Sequence, residues 1–355
     1  MRIYAAVFFV IASLSVIGHA NAESSSWFSR APGEAYEQKN TPSNTTIKGK
    51  TTKSQAAPVP PAQKTIPSLV PATGDDAAYT AFDQGQYLTA LKLAEDAAKR
   101  GEPQAHTLIG RIYSEGLGVN QDEKAAAGWY ARASELGDIP GTFALGLMFA
   151  QGRGVKKDLQ EAGKMFEKAA LTGHPEANYN LGLLFLKGSG KPENPIRAFQ
   201  HIRYAAEKGI AEAQYDLAAL YQTGAGTEPN ALEAARWLSK AADQGLAVAQ
   251  YDYAIVLLKG FGLTKDEPKA PALLKAAAEK GIAGAQNRLA YVNLEGIGTA
   301  KNPVEAAKWR LIAKKNGVED KTLDDAVAKL AKADRNTAEA AASEWSDRNQ
   351  ILPPE

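Results

Sequence analysis

The chain has 355 residues, with 41 lysines and arginines against 40 aspartates and glutamates, and no cysteine. A net charge of +1 supplies no field that would hold nucleic acid. The absence of cysteine excludes disulfides, thiolate metal sites, cysteine nucleophiles and a lipidated N-terminal cysteine.

Residues 1–22 have the anatomy of a secretory signal. Arg2 supplies the positive end, an apolar run follows, and Ala20-Asn21-Ala22 is an A-x-A cleavage site. The run is short for a membrane span, so the mature protein is expected to be periplasmic or secreted. Residues 23–74 show no periodicity and are rich in Pro, Ser, Thr and Lys, a composition that cannot bury enough apolar surface to fold alone. Within them, Trp27, Phe28 and Tyr36 are stray aromatics or a short docking motif, and Asn44-Thr45-Thr46 matches a glycosylation acceptor.

Helical spacing begins after Asp75. Ala78, Phe82, Tyr87, Leu91 and Ala94 share one face, broken at Gln84-Gly85-Gln86, and predict a short tetratricopeptide-like hairpin over residues 75–101. From residue 102 the register is strict. Six units of 36 residues run 102–137, 138–173, 174–209, 210–245, 246–281 and 282–317, each closing on glycine. A fixed period of this length predicts an all-α array of stacked hairpins. In the unit 210–245, Ala213, Leu217 and Tyr221 form the stripe of helix A, Gly224 and Gly226 break it, and Asn230 begins helix B.

The same grammar recurs in every copy. Paired glycines at positions such as Gly116 and Gly118 resemble a phosphate cradle, but they follow a helix, so a hairpin turn is the expectation. Asp122, Asp158, Asn194, Asn230, Asp266 and Asn302 are expected to cap helix B through their side chains. One such acid per unit makes no metal coordination sphere. Small residues at the ninth position, from Gly110 to Ala290, let the two helices approach closely. Residues 318–355 leave the register with two apolar stripes and predict capping helices over the last repeat, followed by an extended Ile351-Leu352-Pro353-Pro354.

The pattern carried by Ala105, Gly110, Tyr113, Gly116, Gly118, Val119, Asp122, Ala126, Trp129, Tyr130, Ala133 and Gly137, repeated to residue 317, resembles the Sel1-like repeat. The resemblance implies a right-handed α-solenoid of antiparallel helix hairpins that serves as an adaptor, without an active site. Signal, repeats and the C-terminal helical segment together are similar to exported alphaproteobacterial Sel1-like proteins, among them a periplasmic exopolysaccharide regulator. That similarity implies a partner in the envelope, such as the periplasmic domain of a membrane sensor kinase. The β-lactamase activity described for a cysteine-paired subgroup is not implied, because this chain has no cysteine.

The face of helix A opposite its core stripe, at the third, sixth, tenth and thirteenth positions, is the candidate partner-binding groove on the concave side. It comprises Phe143, Leu147, Tyr179, Leu183, Leu186, Tyr215, Gln222, Tyr251, Ile255, Leu258, Tyr291 and Leu294. The competing explanation for the tyrosines at position six is stacking between neighbouring repeats. Arg111, Glu115, Lys187, Asp216, Asp252 and Arg288 flank this face; most read as solvated surface, and a few can set the register of a partner electrostatically. His106, His174 and His201 occupy different repeat positions without an obvious partner, so no catalytic set, cofactor or metal is expected. A polysaccharide-binding protein and, more remotely, a cell-wall hydrolase are the alternatives to a protein-binding scaffold.

Overall fold

A computed structural model describes residues 75–349. The expected signal sequence, the Pro-rich stretch with Trp27, Phe28, Tyr36 and Asn44, and the C-terminal Ile-Leu-Pro-Pro lie outside the described residues. The described residues contain 16 α-helices and no strand. They fall into two compact units, whose described parts are residues 75–157 and 158–349.

The N-terminal unit holds α1 (Asp75–Asp83), α2 (Tyr87–Lys99), α3 (Pro103–Glu115), α4 (Glu123–Glu135) and α5 (Ile139–Gln151). Each helix packs against the next in sequence. Phe82, Ala90, Ala94, Leu108, Ile109 and Ile112 are buried between them. Gly110 sits where α3 crosses α4, and a Cβ there would come 2.8 Å from the Tyr130 ring. Arg153, in the turn after α5, donates to Ser114 Oγ at 2.9 Å and to Glu123 Oε1 at 2.6 Å, tying that turn to α3 and α4.

The C-terminal unit continues the alternation with α6 (Leu159–Ala170), α7 (Pro175–Lys187), α8 (Pro195–Glu207), α9 (Ala211–Thr223) and α10 (Ala231–Asp243). It goes on through α11 (Ala247–Lys259), α12 (Ala270–Glu279), α13 (Ala283–Glu295) and α14 (Pro303–Lys315), and ends in α15 (Lys321–Ala328) and α16 (Lys332–Arg348). Its core repeats as well. Leu217 and Leu220 bury against Ile202 and Ala205, and Ala234, Leu238 and Ala241 bury against Ala218 and Val256.

The turn between the helices of a hairpin explains both of its glycines. The first takes the left-handed conformation that ends helix A, as Gly224 does at φ 76°. The second is left-handed too, at φ 76° in Gly226, and has a further reason. A Cβ on Gly226 would fall on the Pro195 carbonyl, the first residue of helix B in the preceding repeat. Gly190 stands in the same relation to Leu159, Gly262 to Ala231 and Gly298 to Glu267. The turn of one repeat is thus pressed onto the start of the previous helix B.

Five of the six expected caps accept a backbone N–H, for instance Asn194 from Arg197 at 3.0 Å and Asn302 from Glu305 at 3.0 Å. Asp266 does not. Its side chain pairs with Lys269 at 2.6 Å, and the chain enters α12 through a 3-10 turn, Glu267–Lys269. Pro268 removes the N–H two residues on, and the N–H of Lys269, which would meet the cap, bonds the Asp266 main-chain oxygen at 3.3 Å in the 3-10 turn instead.

The last repeat is covered by α15 and α16. Trp309 and Trp345 meet edge-on with centroids 5.6 Å apart, and Leu323 and Ala342 close the cluster. Arg310 is 1% exposed and grips α15. It donates to both Asp324 oxygens at 2.8 and 3.0 Å, to Val318 O at 2.8 Å and to Asn287 Oδ1 at 3.1 Å. The Arg310 hydrogen bond, with help from Lys314, holds the Asp324 carboxyl below its ordinary value of 3.8.

Gly209→Ala meets open space at φ 97° and should cost only left-handed strain, about 1–2 kcal/mol. Gly226→Ala adds a collision with backbone and should cost about 1–3 kcal/mol more, read as a lower urea midpoint. Arg310→Met should cost about 2–3 kcal/mol, below the figure for a fully buried pair because Asp324 keeps 32% of its side chain exposed. Since Asp324 binds its proton less readily when folded, its contribution is present above pH 3.8 and is lost as pH falls through the lower folded value. Acid titration of the unfolding midpoint should therefore be shallower in Asp324→Asn.

Candidate partner-binding face

In the C-terminal unit, α7, α9, α11 and α13 are the A helices, and their sixth positions carry Tyr179, Tyr215, Tyr251 and Asn287. Tyr179 Oη donates to Asp216 Oδ2 at 2.9 Å and Tyr215 Oη donates to Asp252 Oδ2 at 2.7 Å. Each bond joins one A helix to the next, so these tyrosines bind repeats together. Tyr251 meets a different neighbour. Arg288 replaces the aspartate of the next repeat, and the Tyr251 ring lies over Gly284, where a Cβ would be 3.1 Å from its hydroxyl. At the end of the array, Asn287 and Tyr291 both donate to Asp320, at 2.8 and 3.1 Å, while Asp320 caps α15.

These bonds revise the expected groove. Tyr215 and Ile255 are 3% and 2% exposed, so both belong to packing between repeats. Asp216 and Asp252, expected as solvated surface, are buried because a tyrosine hydroxyl from the preceding repeat reaches each of them. Burial is also the largest influence on the Asp216 carboxyl and lifts it to about 7.

Leu183, Leu186 and Tyr179 are half-buried against the cluster of Phe199, Ile202 and Leu217. Leu258, Tyr251, Tyr291 and Leu294 lean on the cluster around Trp309. Leu294 also lines a small apolar notch with Pro303, Ala306, Leu323 and Val327, so it serves the C-terminal cap. Gln222 is half-buried near the end of α9. In the N-terminal unit, Phe143 and Leu147 are half-buried on α5.

Two features escaped the sequence reading. The first is a polar row at the fifth position of the A helices. Gln214 Nε2 donates to Ala206 O at 3.1 Å and its Oε1 accepts from Gln244 at 2.7 Å. Gln286 repeats this with Ala278 O and Asn316, at 3.1 and 2.8 Å. The available signal was His106, Thr142, Asn178, Gln214, Gln250 and Gln286, polar in all six copies. The second is the exposure of Ile196 and Leu232, at 63% and 41%. Both are the second residue of a B helix, at the hairpin-turn edge, where Pro268 and Val304 stand in the following repeats. Leu88, 64% exposed, holds the same place on α2 in the N-terminal unit.

The histidines have structural partners. His106 Nδ1 lies 2.9 Å from Glu102 O, and its ring rests 5.6 Å from that of Trp129. His174 caps α7 by accepting from Ala177 N, and burial lowers its pKa. His201 stacks parallel to Phe185 and bonds Asn178 Oδ1 at 2.9 Å; burial lowers its pKa too. Among the described residues no cluster of acids and histidines could hold a metal ion, and no helix is long and apolar enough to cross a membrane.

The Sel1 repeat profile matches six consecutive segments: residues 103–138, 139–174, 175–210, 211–246, 247–282 and 283–318. Among solved structures, the chain is similar to a Sel1 repeat protein from Oxalobacter formigenes, with 30% identity and a TM-score of 0.61 over 70% of this chain and all of that one. It is also similar to c5321, a protective antigen present in uropathogenic Escherichia coli strains that displays an SLR fold. Identity there is 26% and the TM-score 0.53, over 79% of this chain and 72% of that one. No curated protein matches the chain.

Packing and accessible positions should separate by mutation. Ile255→Ala is expected to cost about 2–5 kcal/mol, as a core truncation does. Gln222→Ala should stay within about 0.5 kcal/mol. Urea midpoints measured side by side check the contrast.

Proposed function

The chain belongs to the Sel1 repeat family, whose members are typically protein–protein interaction scaffolds, and we propose that it is a non-enzymatic scaffold or regulator of the cell envelope. The observation that carries the proposal is the division of labour within each repeat. The turn glycines and small residues recur from copy to copy, and the helix caps do in five of six, while the thirteenth position of the A helices changes, as from Ala150 to Leu186 to Gln222. A surface that varies over an unvarying frame suits recognition of one partner and offers no constellation for a reaction.

The signal sequence at residues 1–22 supports placement in the periplasm or outside the cell. In that setting the partner is another envelope protein, such as the periplasmic domain of a membrane sensor kinase, and the consequence is control of envelope signalling or exopolysaccharide production. The binding face is that of α7, α9 and α11, with Leu183, Leu186, Gln222 and Leu258 at its accessible positions. A polysaccharide-binding role is less favoured, because Trp309 is 1% exposed and Lys240 covers the Trp237 ring at 3.6 Å, so neither offers an open stacking platform.

The test is crosslinking of the full chain in its native envelope, with the captured protein identified and its affinity then measured. Leu186→Glu with Leu258→Glu should weaken binding at least tenfold, about 1.4 kcal/mol, with the helical content retained and a lower unfolding midpoint, because both side chains also pack on core clusters. Weakening by Ile196→Glu with Leu232→Glu instead would move the binding surface to the hairpin-turn edge. Recovery of a glycan and no protein would overturn the scaffold reading.

A further inference from the structure

Asp216 is 2% exposed, at the junction of two repeats, and accepts from Tyr179 Oη at 2.9 Å. We propose that buried Asp216 makes the α7–α9 junction a pH-dependent latch: the junction is tight while the carboxyl is protonated, and it loosens on ionisation because the charge brought into it is only partly offset by the stronger bond from Tyr179.

The geometry supplies the reason. A carboxylate enclosed by apolar packing loses its water, and one phenolic hydroxyl replaces only part of that hydration. No lysine or arginine forms an ion pair with Asp216 among the described residues. Burial raises its pKa to about 7, with Tyr179 from α7 and, less strongly, Lys187 at the end of α7 acting in the opposite direction. Glu212, one turn earlier on α9, acts with burial.

The charged groups of the other neighbouring helices are engaged elsewhere. On α8, Arg197 stacks over Phe185, His201 bonds Asn178, and Arg203 pairs with Glu207. On α10, Arg236 pairs with Glu233, Lys240 covers Trp237, and Asp243 is exposed. On α11, Asp252 receives the hydroxyl of Tyr215, the residue beside Asp216.

The sign is the reverse of an ordinary surface acid. The folded state keeps a proton that the unfolded chain releases near 3.8. The stability of the junction is therefore full below that value, declines as pH rises, and reaches its floor above about 7. Because α7 and α9 carry Leu183, Leu186 and Gln222, the latch would also set the shape of the proposed binding face. That consequence rests on the scaffold reading; the latch itself does not.

The experiment is a carboxyl NMR titration of Asp216 in the full chain, together with hydrogen-exchange protection of the α7 and α9 amides across the same pH range. Asp216 should titrate near 7. Protection factors, normalised for intrinsic exchange, should fall by up to about tenfold per pH unit between about 4 and 7, the limit for one linked proton, and then level off. Asp216→Asn, which mimics the protonated acid, should abolish the slope. Tyr179→Phe removes the hydroxyl that favours ionisation and should move the midpoint upward. Titration of Asp216 below about 5, a slope that survives Asp216→Asn, or a midpoint that does not rise in Tyr179→Phe would each overturn the latch. Partner affinity that ignores pH while the rung titrates as described would support the latch and overturn the reading of α7 and α9 as the binding face.

Discussion

The contact between a turn glycine and the first carbonyl of the preceding B helix sets the geometry of the C-terminal unit. Gly190, Gly226, Gly262 and Gly298 each let one repeat's turn lie against the previous repeat's helix start, where no Cβ fits. The spacing between successive repeats is thus fixed by backbone against backbone, which yields less than side chain against side chain. Small residues inside the hairpin follow the same logic. A Cβ on Gly182 would come 2.7 Å from Ile202, so the two helices of that hairpin approach as closely as their backbones allow. Once the close approaches are made, alanine suffices to fill most of the remaining core, as Ala198, Ala205, Ala213 and Ala218 show.

Polar bonds then specify register where apolar packing would be permissive. Alanine-rich faces slide past one another easily, because their surfaces carry little relief. The Tyr179–Asp216 and Tyr215–Asp252 rungs, and the amide pairs made by Gln214 and Gln286, each require one alignment of neighbouring helices. Burial makes a misalignment expensive, since an amide or carboxylate that loses its partner there also lacks water.

Nearly all of the fold was legible in the sequence, because a 36-residue period repeats each local signal six times. Gly224 in the left-handed conformation and Asn230 accepting from Glu233 N at 3.1 Å follow directly from residue type and position. The failures on the candidate face share one cause, which is that a single chain pattern does not say which face a neighbouring repeat will cover. Asp216 and Asp252 look like surface acids on their own helix; only the tyrosine arriving from the previous repeat makes them interior. Tyr215 and Ile255 left the candidate face for the same reason. Asp266 failed as a cap for a local reason, since Pro268 lacks an N–H and the Lys269 N–H goes to the Asp266 main-chain oxygen.

The regularity of the rungs bears on how such an array can change its length. Tyr179 and Tyr215 occupy the same place in successive repeats, as do Asp216 and Asp252. Excision of residues 211–246 as a block would bring the register of Tyr179 to Asp252 and set the Gly262 turn over Pro195, with no other junction disturbed. Loss of a smaller piece within a repeat would put at least one of these contacts out of register. The tile, and not the residue, is then the unit in which this chain can be shortened or lengthened by recombination while its inner bonds re-form.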